Sequence, residues 1–162
     1  MSENTKKIHS LEPIISTSCT RLILGSMPSE TSLQKEEYYA FPQNAFWRIL
    51  FSLYESPLTD DYAEKQHFLL SHHIALWDVI SSCQREGSLD SRIKDLEPND
   101  FKSLFIAYPS ITRVFFNGKK AYDVFKKEMG FNPIHTYTYL PSTSPAHAVS
   151  FEKKLEAWRV IL

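Results

Sequence analysis

Four short apolar runs alternate along the chain with segments of helical periodicity, and each run ends in a polar loop. The runs are Arg21–Gly25, His73–Val79, Thr112–Asn117 and His135–Leu140. A short apolar run followed by an amphipathic helix is typical of a parallel strand and its crossover. The pattern therefore predicts an α/β fold, a three-layer α/β/α sandwich with a central four-stranded, mostly parallel sheet.

Helical spacing of apolar residues and favourable end residues predict the helices between these strands. We expect helices over Asn44–Tyr54, from Thr59 to about Leu70, from Asn99 or Asp100 through Tyr108, over Lys119–Met129 and over Phe151–Leu162. Thr59 and Ser150 are good N-caps, and Gly130 is a good stop. The stretch between Gly25 and Asn44 and the stretch Ser81–Ser91 are predicted to be loops.

Length and composition bound the class of protein. The chain has 162 residues, of which 43% are hydrophobic, so we expect one folded domain over residues 1–162 with a flexible polar start at 1–10. Two cysteines are too few for a disulfide framework, and no apolar run reaches membrane-spanning length. We expect a cytoplasmic protein, a monomer, with no membrane contact.

The loop after the first strand carries the strongest candidates for a ligand site. Right-handed crossovers place the strand-end loops on one edge of the sheet, where open α/β folds bind ligands. Gly25 permits a tight turn or a close approach, while Tyr38, Tyr39 and Phe41 offer flat faces. Asn44 carries an amide that both donates and accepts, but it also precedes a helix, so capping and catalysis are equally open interpretations.

Other polar residues have simpler explanations. The six histidines show no metal-ligand spacing, and we expect neither a metal nor a cofactor. Asn117 precedes Gly118, which favours a turn-forming role. Lysine pairs such as Lys153-Lys154 are typical of solvated helix faces.

Two stretches together resemble the motifs of a known family. Gly25-Ser26-Met27-Pro28-Ser29, followed by Phe41-Pro42-Gln43-Asn44-Ala45-Phe46-Trp47, resembles the first motif of the uracil-DNA glycosylase superfamily. Leu140-Pro141-Ser142-Thr143-Ser144-Pro145-Ala146 resembles its second motif, at the expected far end of the chain. The Gly-Ser-Met-Pro-Ser opening is most similar to the deoxyinosine (hypoxanthine) branch, whereas the Pro-x-Asn-x-Phe-Trp run is similar to the mismatch-specific thymine/uracil branch.

The resemblance implies a DNA glycosylase that cleaves the base–sugar bond of a deaminated base, with hypoxanthine favoured. It assigns catalysis to Asn44 and base stacking to Tyr39. The remaining base-binding residues it implies are Gly25, Ser26, Met27, Pro28, Ser29, Phe41 and Ser142. The implied DNA contacts are Ser144, Pro145, Ala146 and His147.

Two departures from the family pattern shape the substrate prediction. Many members carry Asp or Asn where Met27 stands, to orient the attacking water, and His or Asn where Ser142 stands. Without these groups the chain is predicted to be a poor uracil enzyme. The alternatives are a uracil/thymine mismatch-DNA glycosylase and, in another class, a non-catalytic base- or nucleotide-binding module.

Overall fold

The computed structural model describes residues 6–162. Helices separate the four strands of its central sheet from one another, as the apolar pattern predicts. The strands are β1 (Lys7–His9), β2 (Arg21–Gly25), β3 (Ile74–Asp78), β4 (Ile80–Gln84), β5 (Lys94–Pro98), β6 (Arg113–Asn117) and β7 (Thr136–Leu140). The α-helices are α1 (Glu30–Lys35), α2 (Phe46–Leu53), α3 (Tyr62–Ser71), α4 (Phe101–Ala107), α5 (Lys119–Glu128) and α6 (Phe151–Trp158). None of the helices within residues 6–162 is long and apolar enough to cross a membrane.

The central sheet has four strands in the order β3-β2-β6-β7, and every neighbouring pair is parallel. All four strands were predicted, each to within a residue or two. In the register, Leu22 of β2 lies between Ala75 of β3 and Val114 of β6. The predicted fold class is confirmed.

Alternation of side chains along β2 builds a core on each face of the sheet. Ile23 packs with residues of α2, α3 and α6, whereas Leu22 and Leu24 pack with residues of α4 and α5. All three side chains are fully buried. Because successive residues of a strand point to opposite faces, a continuous apolar run is what a sheet covered on both sides requires.

A second, antiparallel sheet of three strands, in the order β1-β4-β5, departs from the prediction. The predicted loop Ser81–Ser91 is wrong as far as Gln84, because β4 occupies that part. The segment Ile80–Gln84 has little apolar content to indicate a strand, and its pairing with β1 and β5 comes from distant parts of the chain. Of the segment 1–10 that we expected to be flexible, residues 7–9 form β1, and residues 1–5 lie outside the described residues.

Helix α1 is also absent from the prediction, which treated the whole stretch after Gly25 as a loop. Ser29 caps this helix by accepting a hydrogen bond from the backbone N–H of Ser32. The helix ends after six residues at Glu36, which has a left-handed backbone with φ of 54°. So short a helix has too few turns to show a periodic apolar face.

Trp158 connects the core to the last strand-end loop. Its side chain is fully buried and meets Phe46 of α2 edge to face, with ring centroids 5.9 Å apart. Its indole Nε1 donates a hydrogen bond to the carbonyl of Pro141 at 2.9 Å. One residue therefore contributes both apolar packing and a polar anchor.

Replacing Trp158 with Ala should reduce the free energy of unfolding by about 3–5 kcal/mol, because a large cavity opens and a carbonyl loses its donor. The half-exposed Val160, changed to Ala, is the matched control and should shift stability by less than about 0.5 kcal/mol. Urea unfolding measures both. A loss below about 1 kcal/mol for the tryptophan variant would contradict this account of the core.

Candidate active site

A cleft of about 890 Å³ opens at the carboxyl edge of the central sheet. It is lined by the first loop (Gly25–Ser29), the last loop (Pro141–His147) and the loop between β4 and β5. All the predicted site residues lie on its wall, namely Gly25, Ser26, Met27, Pro28, Ser29, Tyr39, Phe41, Asn44, Ser142, Ser144, Pro145, Ala146 and His147. A more open depression of about 550 Å³ near α3 contains none of them.

The buried amide of Asn117 joins the two ends of the site. Its Nδ2 donates to the Tyr39 hydroxyl at 3.0 Å and to Thr143 Oγ1 at 2.9 Å, and its Oδ1 accepts from the Thr143 N–H at 2.9 Å. The turn-forming interpretation of Asn117 was therefore incomplete. Gly118 makes the turn, with φ of 96°, while the Asn117 side chain cross-links both motif regions. The sequence does contain a signal for this role, because Asn117 is a polar residue at the end of a buried strand.

Three further hydrogen bonds hold the last loop against α2 and α6. The Ala45 N–H donates to the Thr143 carbonyl at 3.0 Å, and Trp158 donates to Pro141 as described above. The third donor is the ammonium of Lys154, which lies 3.0 Å from the Ser144 carbonyl. The loop that carries the predicted DNA contacts is thus attached in its first half, at Pro141, Thr143 and Ser144.

The prediction that Lys154 lies on a solvated helix face is wrong. Only 4% of this residue is exposed, and its burial, together with the nearby charge of Arg48, lowers the pKa of its ammonium. Lysine pairs on short helices cannot be oriented from spacing alone, because one member of an adjacent pair can face inward.

Asn44 lies on the cleft wall one position before the N-cap of α2, which is Ala45. Its Oδ1 accepts from the Phe46 N–H at 3.0 Å, as in a turn that starts the helix. Its Nδ2 has no acceptor among residues 6–162. Asn44 thus supports the start of α2 through this turn and not as the predicted N-cap, and its amide nitrogen and a second lone pair of the oxygen stay unpaired.

Tyr39 is held in a strained conformation with one ring face covered. Its φ is 54°, a left-handed value that a bulky residue adopts only when its surroundings enforce it. The ring stacks on Phe46 with centroids 4.1 Å apart, and the hydroxyl accepts from Asn117. A flat ligand can therefore stack only on the opposite face of the ring.

Two neighbouring aromatic residues have different roles. Tyr38 is buried in the core, and its hydroxyl donates to the Glu12 carbonyl at 2.8 Å, so it supports the fold more than it offers a ligand face. Phe41 is 39% exposed at the rim of the cleft. The expectation of a flat-faced ligand surface thus applies to Tyr39 and Phe41.

In the first loop, which lines the cleft, most backbone carbonyls accept a hydrogen bond and most N–H groups lack an acceptor. The carbonyls of Gly25 and Ser26 accept from the N–H groups that follow β3, at 2.8 and 3.1 Å. The Pro28 carbonyl accepts from Arg85 at 2.6 Å. By contrast, the N–H groups of Ser26, Met27 and Ser29 have no acceptor in the part of the chain that the structure describes.

The buried side chain of Arg85 braces the first loop from the β4–β5 loop. Besides its bond to Pro28, its Nε donates to the Gly87 carbonyl at 2.8 Å. The Ser26 hydroxyl donates to Asp90 Oδ1 at 2.6 Å, and the Glu30 N–H donates to Ser88 Oγ at 2.9 Å. Sequence reasoning missed this support, because an arginine among polar residues looks solvated.

Asp78 is the most unusual polar group of the site, and the sequence analysis passed over it. It ends β3 on the cleft wall, is 3% exposed, and neither carboxyl oxygen forms a hydrogen bond within residues 6–162. Burial, reinforced by the nearby charge of Asp90, raises the pKa of Asp78 to about 8 despite the opposing charge of Arg85. Burial therefore favours the neutral carboxylic acid over the carboxylate at pH 7.

Gly25 provides the room that Asp78 and Tyr39 occupy. A Cβ atom at position 25 would lie 2.6 Å from Asp78 Oδ1 and 2.7 Å from the Tyr39 hydroxyl oxygen. Both contacts are too short for any side chain, so glycine is required here by the close approach of two cleft residues.

Comparison with known proteins identifies relatives over nearly the whole chain. A protein named hypoxanthine DNA glycosylase from Methanosarcina barkeri is 36% identical over 149 residues, covering 90% of this chain and 92% of that protein. One with the same name from Methanosarcina acetivorans is 38% identical over 143 residues, covering 86% and 88%. A solution NMR structure from M. acetivorans, provisionally described as a uracil DNA glycosylase, superposes with a TM-score of 0.81 at 34% identity, covering 96% of each chain.

The family match agrees with these relatives and with the geometry of the cleft. Residues 13–162 match the uracil DNA glycosylase superfamily, a range that includes both motif regions and all four strands of the parallel sheet. The chain belongs to the uracil DNA glycosylase superfamily.

Proposed function

We propose that this protein is a monofunctional DNA glycosylase that releases hypoxanthine from DNA by hydrolysis of the N-glycosidic bond. The observation that carries the proposal is the cleft itself, in which Asn44, three unpaired backbone N–H groups and a strained Tyr39 converge at the carboxyl edge of the sheet. The names of the Methanosarcina relatives support the choice of base.

The target base must leave the helix before the cleft can hold it, and a mispaired base leaves most easily. The extruded base stacks on the free face of Tyr39, whose other face is covered by Phe46. Ala146 and His147 lie at the rim on the last loop and press into the groove beside the extruded nucleotide. Ser144 and Pro145 contact the DNA from the same loop.

Asn44 positions water and cannot deprotonate it, because an amide does not ionise in this pH range. The second lone pair of Oδ1 holds the attacking water, and Nδ2 donates to the sugar or the base. Breaking the bond develops positive charge on the sugar and negative charge on the departing base, as in glycoside hydrolysis. Asn44 therefore contributes to the rate by orienting the water and the sugar or base.

The unpaired N–H groups of Ser26, Met27 and Ser29 suit a leaving group that becomes an anion. Preorganised donors aimed at developing negative charge stabilise a transition state more than a ground state. Hypoxanthine offers O6 as the acceptor for these donors, and its N7 stays available to take a proton. The thioether of Met27 gives no help to a water molecule, which disfavours uracil.

The proposed reaction requires no cofactor, and the enzyme acts as a monomer on DNA that contains a deaminated base. Cys19 and Cys83 are both buried free thiols, which fits a reducing compartment such as the cytoplasm.

Asn44→Ala should reduce hypoxanthine release by about 100-fold or more, because one oriented donor and the water site disappear together. Stability should fall by only about 1 kcal/mol, the value of a helix cap. The assay is single-turnover release from duplexes containing hypoxanthine or uracil, with alkaline cleavage of abasic sites. The exposed neighbour Gln43, changed to Ala, is the control.

The parent protein in the same assay tests the function as a whole. We expect hypoxanthine to be released faster than uracil from matched duplexes. Release of neither base, with tight binding to the hypoxanthine duplex, would point to a non-catalytic reader. A preference for uracil would overturn the substrate while leaving the family intact.

Tyr39→Ala should weaken binding to a duplex with a non-hydrolysable deoxyinosine by about 1–3 kcal/mol, the usual value of base–aromatic stacking. Tyr39→Phe keeps the ring and loses the acceptor for Asn117, so it should cost about 1 kcal/mol of stability and little binding. Fluorescence anisotropy measures both variants. An equal loss on undamaged DNA would show that Tyr39 supports the loop and not the base.

A further inference from the structure

Asp78 has no role in the mechanism described so far, although it is the only carboxyl group on the cleft wall that is buried among residues 6–162. A buried carboxyl group without a hydrogen-bond partner is costly, and native proteins rarely retain one without a function. Oδ2 is fully enclosed and unpaired. The side chain lies against Gly25, at the start of the loop whose N–H groups face the cleft.

We propose that Asp78 is the general acid that protonates the departing purine. The inference rests on the proposed release of hypoxanthine. As the bond from N9 to C1′ breaks, its electron pair moves into the base, and the carboxylic acid of Asp78 transfers its proton to N7. Neutral hypoxanthine leaves, Asp78 becomes a carboxylate, and water adds to C1′. The proton released by that water restores the acid, so atoms and charge balance over the cycle.

The charged groups near Asp78 favour its protonated form. Asp90 lies close enough to oppose a second negative charge, and its own carboxylate is occupied by the hydroxyl of Ser26. Arg85 is the nearby cation; its Nε and Nη2 donate to the carbonyls of Gly87 and Pro28, and its buried Nη1 donates to no acceptor in the described chain, Asp78 included. No cation therefore forms an ion pair with Asp78 in the described chain.

The remaining titratable neighbours of Asp78 are three tyrosines. Tyr38, Tyr39 and Tyr62 all interact electrostatically with Asp78, and burial raises the pKa of each hydroxyl above its ordinary value. They stay neutral wherever the enzyme works. A change of activity with pH near 8 therefore reports the carboxyl group and not a phenol.

This assignment also explains the choice of base in chemical terms. A purine accepts a proton at N7, remote from the sugar bond, and becomes a better leaving group. Uracil has no imidazole ring and therefore no equivalent atom. A general acid at position 78 therefore speeds the release of purines selectively. A water-activating carboxylate at position 27, where Met27 stands, would have sped the release of either class of base.

The decisive experiment pairs Asp78→Asn with a substrate that lacks the acceptor atom. Single-turnover release is measured from duplexes with hypoxanthine or 7-deazahypoxanthine, in which a carbon replaces N7. The parent should release the deaza base about 100-fold more slowly than hypoxanthine. Asp78→Asn should be about 100-fold slower than the parent on hypoxanthine and within about three-fold of it on the deaza base. Equal losses on both substrates, or no loss on hypoxanthine, would overturn the proposal.

The dependence on pH provides a second test. The parent rate on hypoxanthine should be constant below pH 7 and fall about ten-fold per unit above pH 8, as Asp78 loses its proton. The asparagine variant should show a flat profile. A parent profile that stays flat to pH 9.5 would also overturn the proposal.

The thermal stability of Asp78→Asn distinguishes a loss of catalysis from a loss of folding. The folded-state pKa of Asp78, about 8, exceeds the ordinary value of 3.8, so the unfolded chain loses this proton first and the fold weakens as pH rises from about 4 to 8. Asp78→Asn removes that penalty and should have a Tm at or above that of the parent at pH 8. If the parent itself releases no hypoxanthine, the proposed function fails together with this inference. A slow but stable Asp78→Asn variant that no longer distinguishes hypoxanthine from its 7-deaza analogue requires both.

Discussion

The hydrogen bonds of Asn117 are the interaction on which the site depends. One buried amide satisfies Tyr39 from the first motif region and both Oγ1 and N–H of Thr143 from the second. These partners are 78 and 26 residues away along the chain. Because the amide is rigid and its donors and acceptor are all used, it sets the distance between the stacking ring and the last loop. Parallel strand order makes this possible, since β6, which ends at Asn117, lies between β2 and β7.

Burial at the carboxyl edge of the sheet has two opposite electrostatic results. Burial favours the protonated form of Asp78, which has no hydrogen-bond partner in the described chain, whereas Lys154 and Arg85 donate hydrogen bonds to backbone carbonyls. Lys154 is attached in this way to the last loop and Arg85 to the first loop of the cleft. These two buried cations thus sit behind the loops, whereas the charged side chains that line the cleft, such as Asp90, Lys119 and Lys120, are not buried. The unpaired N–H groups of the first loop suit a base on which negative charge develops as its bond to the sugar breaks.

Much of the fold could be predicted from the sequence, because two cores on a covered sheet impose a strong apolar pattern. The four parallel strands and five of the six helices follow from it. Strand β4 could not be predicted, since Ser81, Ser82 and Gln84 carry no apolar alternation and the strand is stabilised by pairing with β1 and β5. The short helix α1 was also not predicted, because six residues are too few to show a periodic apolar face, although Ser29 is a favourable N-cap. Elements with a local apolar periodicity can be predicted from the sequence, and elements stabilised by partners elsewhere in the chain cannot.

The sequence by itself determined the layered fold, the edge where the cleft lies and part of its lining, because strand-end loops must meet at one edge of a parallel sheet. Only the tertiary structure decided what those residues do. It separates the bonded oxygen of Asn44 from its unpaired nitrogen, covers one face of Tyr39, and turns Asn117 from a turn residue into a cross-link. It also converts Asp78 from an ordinary strand-end acid into a neutral carboxyl group. These properties depend on desolvation and on contacts between distant segments, and neither is present in the local order of residues.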